Sequence, residues 1–244
     1  MLLVRKHYDT IKSIDFDAIV VAKSDCFGAC SVNKIFIKQD GTVVYDTYDT
    51  IGNLVYFTSN ISRHNFIKIR SRFKKADYEH LESRYNACIT DMSTTHLTFI
   101  KEGKIIKSIY DYGQESPTEL IWAYIPVVYL PDIIKAEPNK HKCFSLGYTT
   151  FIKDKLALHL TKSESFYLSY LLENASDVNK KINELYSLGF DNDSISRITT
   201  DGRYYKFYFK NKSTKTIDVG YDFLKESKLV NKFEKRNEQN NTTF

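Results

Sequence analysis

The side chains whose type and spacing come nearest to chemistry are two cysteines, Cys26 and Cys30, in the run Cys26-Phe27-Gly28-Ala29-Cys30. On an extended strand, residues four apart stand about 13 Å from each other. A disulfide needs Cα atoms within about 4.4–6.8 Å. Gly28 permits a turn that would bring the two sulfurs together. The pair is open to several readings: buried small side chains, a structural or regulatory disulfide, a redox-active thiol pair, or half of a zinc site. The gap is not the two-residue gap of thioredoxin-like sites, and no helix start follows to depress a thiol pKa. Cys88 and Cys143 come singly, without the paired spacing of structural zinc. No metal is therefore expected.

Thr90-Asp91 with His96 is a weaker constellation, because Asp91 reads as a turn residue and His96 as the start of a strand. The other histidines fall in unrelated contexts. There is no nucleophile elbow, phosphate loop, His-Glu-x-x-His helix or paired-carboxylate motif. An enzyme is thus the less expected class, and no cofactor is called for.

Binding chemistry is better represented. Between Ser62 and Ala76 the chain carries six positive charges (Arg63, Lys68, Arg70, Arg72, Lys74, Lys75) and no acid. Ser62 is a good helix N-cap, and Phe66, Ile69 and Phe73 recur at helical spacing. With those three turned inward, Lys68, Arg72 and Lys75 gather on the opposite face. Arg63, Lys68, Arg72 and Lys75 are the candidate partner-binding residues, suited to an acidic protein patch or to phosphates; the alternative is a solvated face balanced by Asp77, Glu79 and Glu82 just after the helix. Tyr204, Tyr205, Phe207, Tyr208 and Phe209 form an aromatic strand, with Tyr205, Phe207 and Phe209 expected in the core and the others on an outer face.

These residues need a scaffold of strands and helices. Strands are expected over 16–23, 32–37, 42–47 and 54–58, with Asp40-Gly41 as a tight turn, followed by the basic helix. A strand pair at 96–100 and 104–110 leads to a helix started by a Ser116-Pro117-Thr118-Glu119 capping box and limited by Pro126 and Pro131. The polar stretch 137–142 marks a boundary, giving units of 1–137 and 138–244. The second unit holds a hairpin, a helix opened by the Thr161/Glu164 capping box, and a helix through Val178, Ile182 and Leu185 closed by Gly189. Three strands follow, then a polar tail. Strand pair followed by helix recurs in both units. The expected fold is therefore α+β, two similar halves, each an antiparallel sheet with helices packed on one face.

Cys26-Phe27-Gly28-Ala29-Cys30, then a strand, then Asp40-Gly41-Thr42-Val43-Val44-Tyr45, resembles the signature of a bacterial family, domain of unknown function 6438. Tyr85 and Thr90-Asp91 extend the resemblance, which covers about residues 20 to 135. The family's proline after the second cysteine is Ser31 here. The resemblance implies a fold and no activity.

The 244 residues carry 42% hydrophobic and 27% charged residues, which excludes disordered and collagen-like classes. The net charge of +5 is too small for a dedicated nucleic-acid binder. The longest apolar run, 120–130, is about half a bilayer span. Neither it nor the N-terminus reads as a membrane or export signal, so a cytoplasmic protein with four free thiols is expected. The leading expectation is a non-enzymatic interaction protein, such as an inhibitor, immunity-type protein or adaptor. The alternative is a thiol-based redox or regulatory protein using Cys26 and Cys30.

Overall fold

The run Ala18-Ile19-Val20-Val21-Ala22 is apolar at every position, and such a strand can be satisfied only by burial on both faces. The computed structural model, which describes residues 15–26, 32–48, 54–138, 146–190 and 195–236, does this. Ile19 and Val21 join one hydrophobic cluster, while Ala18 and Val20 join another. The next two strands divide likewise: Ile35, Ile37, Val43 and Tyr45 go one way, Phe36 and Val44 the other.

In chain order the first half contains β1 (Ala18–Lys23), β2 (Asn33–Lys38), β3 (Thr42–Tyr48), β4 (Leu54–Asn60), α1 (Arg63–Lys75), β5 (Arg84–Asn86), β6 (Thr94–Lys101), β7 (Lys104–Tyr112), α2 (Thr118–Val128), a 3₁₀ turn at Leu130–Asp132, and β8 (Glu137–Pro138). The second contains β9 (Thr150–Lys153), β10 (Leu156–His159), α3 (Lys162–Glu173), β11 (Ser176–Asp177), β12 (Tyr186–Gly189), β13 (Ile195–Thr200), β14 (Tyr204–Phe209), β15 (Thr214–Asp218), the one-turn α4 (Phe223–Glu226), a second 3₁₀ turn, and β16 (Glu234–Lys235). Among the described residues they form two sheets, ordered β5-β7-β6-β1-β2-β3-β4-β8 and β11-β15-β14-β13-β12-β9-β10-β16. Every pairing is antiparallel except β5 with β7, so the fold is α+β. The Asp40-Gly41 turn forms as expected. Gly41 has φ of 95°, and a Cβ there would sit 2.1 Å from the Ile61 carbonyl oxygen, so no other residue fits.

Helices on one face of each sheet is an expectation the first sheet corrects. α1 and α2 cover one side through Phe66, Phe73, Leu120, Ala123, Tyr124 and Val127. α3, from the second half, covers the other side and sits in one cluster with both sheets, through Phe166, Tyr167, Leu168 and Leu172. A helix packed between two sheets is buried nearly all round, and Ser163, Glu164, Ser165 and Ser169 are buried with its apolar residues. Each therefore needs a partner. Thr98 and Ser163 share a 2.7 Å hydrogen bond, and Ser108 donates to Glu164 Oε1 at 2.7 Å. Glu164 Oε2 also accepts from the Thr161 backbone N–H, completing the expected capping box. The cap that starts α3 thus also fastens it to β6 and β7.

Three local expectations are corrected. Val178, Ile182 and Leu185 lie in no helix: the segment 178–185 runs without regular structure, and Gly189 ends a strand. Tyr186, Ser187 and Leu188 pair with β13, and Ser187 and Leu188 also pair with β9, so tertiary pairing overrode the helical spacing. Ser116 does not cap α2. Its hydroxyl donates instead to the buried Asp111 Oδ2 at 2.6 Å, leaving Pro117 at the N-cap without a side-chain bond. Pro126 lies inside α2 rather than ending it.

Candidate functional site: a basic groove beside an exposed tryptophan

Ser62 accepts a hydrogen bond from the Asn65 N–H at 3.2 Å and opens α1. Phe66 and Phe73 are buried, and Phe16 packs edge-on against both at 6.0 Å between ring centroids. With these rings fixing the inner face, the flanking cations fall on two sides. Arg70 and Lys74 turn to Asp15. Arg72 and Lys75 turn toward α2, where they line a groove of about 350 Å³ with Glu119, Trp122 and Ala123. Arg72, Lys74 and Lys75 all occupy the last turn, where the partial negative charge of the helix end favours cations.

Trp122 is the protein's one tryptophan. It is 69% exposed, an unusual placement for so large an apolar side chain. α2 positions it because Leu120, Ala123, Tyr124 and Val127 all point into the core, leaving the 122 position outward. Seven residues on, Tyr129 is 46% exposed, and Ile133 just beyond the 3₁₀ turn is 78% exposed. Lys23 Nζ stands 5.8 Å from the Tyr129 ring centroid, so a cation sits at this end of the stripe as well. The middle of α2 is anchored from below by Tyr124, whose hydroxyl donates to Asp111 Oδ2 at 2.9 Å. Burial and then the Asp111 charge hold the Tyr124 hydroxyl well above the ordinary tyrosine range.

The sequence-derived candidates sort clearly. Arg72 and Lys75 line the groove. Lys68 is exposed and lies about 40° from Arg72 around the helix axis, on the same side. Arg63 stands about half a turn away from Arg72 and belongs to a different surface. Among the described residues, no carboxylate lies within ion-pair distance of any of these four. The acids after the helix do not neutralise them: Asp77, for example, binds His80 at 2.7 Å. Trp122 was missed by the motif reading, although its singularity and the seven-residue spacing to Tyr129 were both visible.

Cys26 is half-buried and disulfide-bonded, which corrects the expectation of four free thiols. β1 ends at Lys23, so the extended-strand spacing does not govern it. Cys30, like Cys143, lies outside the described residues, whereas Cys88 is exposed and free. Asn33 donates to the Val128 carbonyl at 2.8 Å and ties the start of β2 to the end of α2.

His96 is not joined to Thr90 and Asp91. It is a buried residue of β6, packed edge-on against Tyr110 at 5.1 Å, and the other two occupy the exposed turn before that strand. Burial, then the Lys162 and Arg84 charges, push its pKa down to about 4. Among the described residues, no three His, Cys, Asp or Glu side chains converge on a metal position, and no helix is long and apolar enough to cross a membrane.

Residues 17–130 match the family described as Domain of unknown function (DUF6438), so the first half of the chain resembles that family. The match ends at the 3₁₀ turn after α2 and includes β1 through β7 with both groove helices. No curated protein and no solved structure matches the chain.

Proposed function

We propose that this chain is a non-enzymatic interaction protein, an inhibitor, immunity-type protein or adaptor, that docks an acidic protein partner on the α1–α2 groove. The observation that carries the reading is a cluster of cations without carboxylate partners among the described residues (Lys68, Arg72, Lys75) beside the exposed Trp122. A folded protein gains little from holding such charges together. An interface gains association rate and selectivity from them, and an exposed tryptophan supplies the large apolar contact typical of binding hot spots. The cationic surface is one helix face, too narrow for a nucleic-acid track.

Capture of the tagged chain from its own cells, followed by mass spectrometry, tests this. The expected result is a stoichiometric acidic protein, lost from a variant carrying Arg72→Glu with Lys75→Glu. Equal recovery by both chains sinks the proposal.

The disulfide at Cys26 favours a second reading, a thiol-based redox or regulatory protein with Cys30 as the other thiol. Stable disulfides belong to oxidising compartments, so a cytoplasmic location is compatible with this bond only if it cycles. Thiol titration across a range of potentials decides: reversible oxidation near cytosolic poise supports the redox reading, and a bond that stays formed there removes it. For the fold, we propose that the halves descend from one strand–helix unit. In each, the chain passes from a helix through a short edge strand, β5 or β11, to a strand placed beside the first strand of the half, with β6 against β1 and β12 against β9.

A further inference from the structure

The groove is one end of a longer feature. From Trp122 through Tyr129 to Ile133, three large apolar side chains stand exposed along α2 and the turn that follows it. At about 1.5 Å per helical residue, the stripe is about 16 Å long. Cations stand beside its first two members: Arg72 and Lys75 beside Trp122, and Lys23 beside Tyr129. Two carboxylates interrupt this pattern, that of Glu119 on the groove wall and that of the exposed Asp132 in the turn between Tyr129 and Ile133.

We infer that the surface is built for an acidic amphipathic helix, about three turns long, laid along α2 with its apolar residues on Trp122, Tyr129 and Ile133 and its carboxylates reaching Arg72, Lys75 and Lys23. This rests on the interaction reading above and adds the partner's chemistry. A purely acidic patch would leave the apolar stripe in water. A purely apolar partner would bury the ends of the cations without compensation. Only a ligand with both features satisfies both, and an amphipathic helix presents them at the required spacing, with apolar residues at i, i+4, i+7 and i+11 and acids alongside. A single strand of nucleic acid would use Trp122 for stacking but offers nothing to Ile133, beyond the last cation.

Trp122 reports on its own site, because the chain has no other tryptophan. The probes are synthetic helical peptides of about four turns: one with Leu at i, i+4, i+7 and i+11 and flanking Glu, one with every Glu changed to Gln, and one with every Leu changed to Ser. The Leu/Glu peptide should blue-shift the emission and saturate. The two controls should bind at least about tenfold more weakly. Arg72→Glu with Lys75→Glu should abolish the shift, Ile133→Ser should weaken it, and Glu119→Gln should tighten binding several-fold by removing the opposing charge beside Arg72 and Lys75. The inference is overturned if either control binds as well as the Leu/Glu peptide or if no peptide shifts the emission. It is equally overturned if a single-stranded oligonucleotide, or self-association of the chain, gives the saturable shift instead. Should the peptides fail while cellular capture still depends on Arg72 and Lys75, the interaction reading stands and only this partner chemistry falls.

Discussion

Cations crowd two surfaces of this protein in different ways. On the outer face of the second sheet, Arg203 binds Asp218 through two nitrogens, each at 2.8 Å. Arg197 and Lys206 converge on Glu184, to which Tyr208 also donates at 2.5 Å. Lys180 stands 3.9 Å from the Tyr204 ring centroid. The irregular segment 178–185 carries Lys180 and Glu184 across this face, so its charges are answered within the chain. The α1–α2 face has the same residue types, cations beside aromatic rings, but Arg72 and Lys75 have no carboxylate at ion-pair distance among the described residues. Composition does not separate the two surfaces; local partnering does. It marks the second-sheet face as self-contained and makes the α1–α2 face the candidate interface.

If this contrast is right, stability and binding should respond to different changes. The largest expected effect belongs to neither surface. His96 is held neutral in the core with a folded pKa of about 4, below its ordinary value of 6.5. Unfolding therefore takes up a proton, and the contribution to stability, complete above pH 6.5, should fall by about 3 kcal/mol as pH drops to about 4. Chemical denaturation at several pH values should show this loss, and His96→Phe should remove most of it. His80, exposed beside Asp77, is shifted upward and works in the opposite sense, but in solvent. A wild-type and variant pair with the same pH dependence would show that His96 charges without penalty.

Reversing Arg72 and Lys75 to Glu should weaken partner binding on the order of 100-fold while lowering unfolding free energy by only about 1 kcal/mol, the cost of acids in the last turn of α1. Calorimetry and denaturant melts on the same samples would separate the two. Glu184→Gln should do the reverse. Removing the acceptor shared by Tyr208, Arg197 and Lys206 should cost about 1 kcal/mol of stability and leave binding untouched. The Tyr208 hydrogen bond and the two cations hold the Glu184 carboxyl below its ordinary range. Its contribution is therefore present above pH 4.5 and lost as pH falls through the lower folded value. At the bottom of the scale, Lys215→Gln breaks an exposed pair and should cost under about 0.5 kcal/mol.

The strands with unbroken apolar runs, the Asp40-Gly41 turn, the Ser62 cap and the Thr161/Glu164 capping box were legible in the sequence because each depends on its immediate neighbours. The basic face of α1 was legible for the same reason. What α3 packs against was not, since its buried Ser163 and Glu164 look like a polar face until Thr98 and Ser108 supply partners from β6 and β7. The helix expected at Val178–Leu185 failed on the same point: spacing alone cannot report that the next residues pair with two strands. Whether the cations of α1 were neutralised also lay beyond the sequence, which put Asp77, Glu79 and Glu82 close in number without saying where they point.

The most direct test of which face is open is amide hydrogen exchange on the chain alone and in complex with the partner captured from its cells. The account predicts slower exchange at 68–76 and 119–133, with β13, β14 and segment 178–185 unchanged. Protection centred on β13–β15 or around Cys26, with α1 and α2 exchanging as in the free chain, would contradict it.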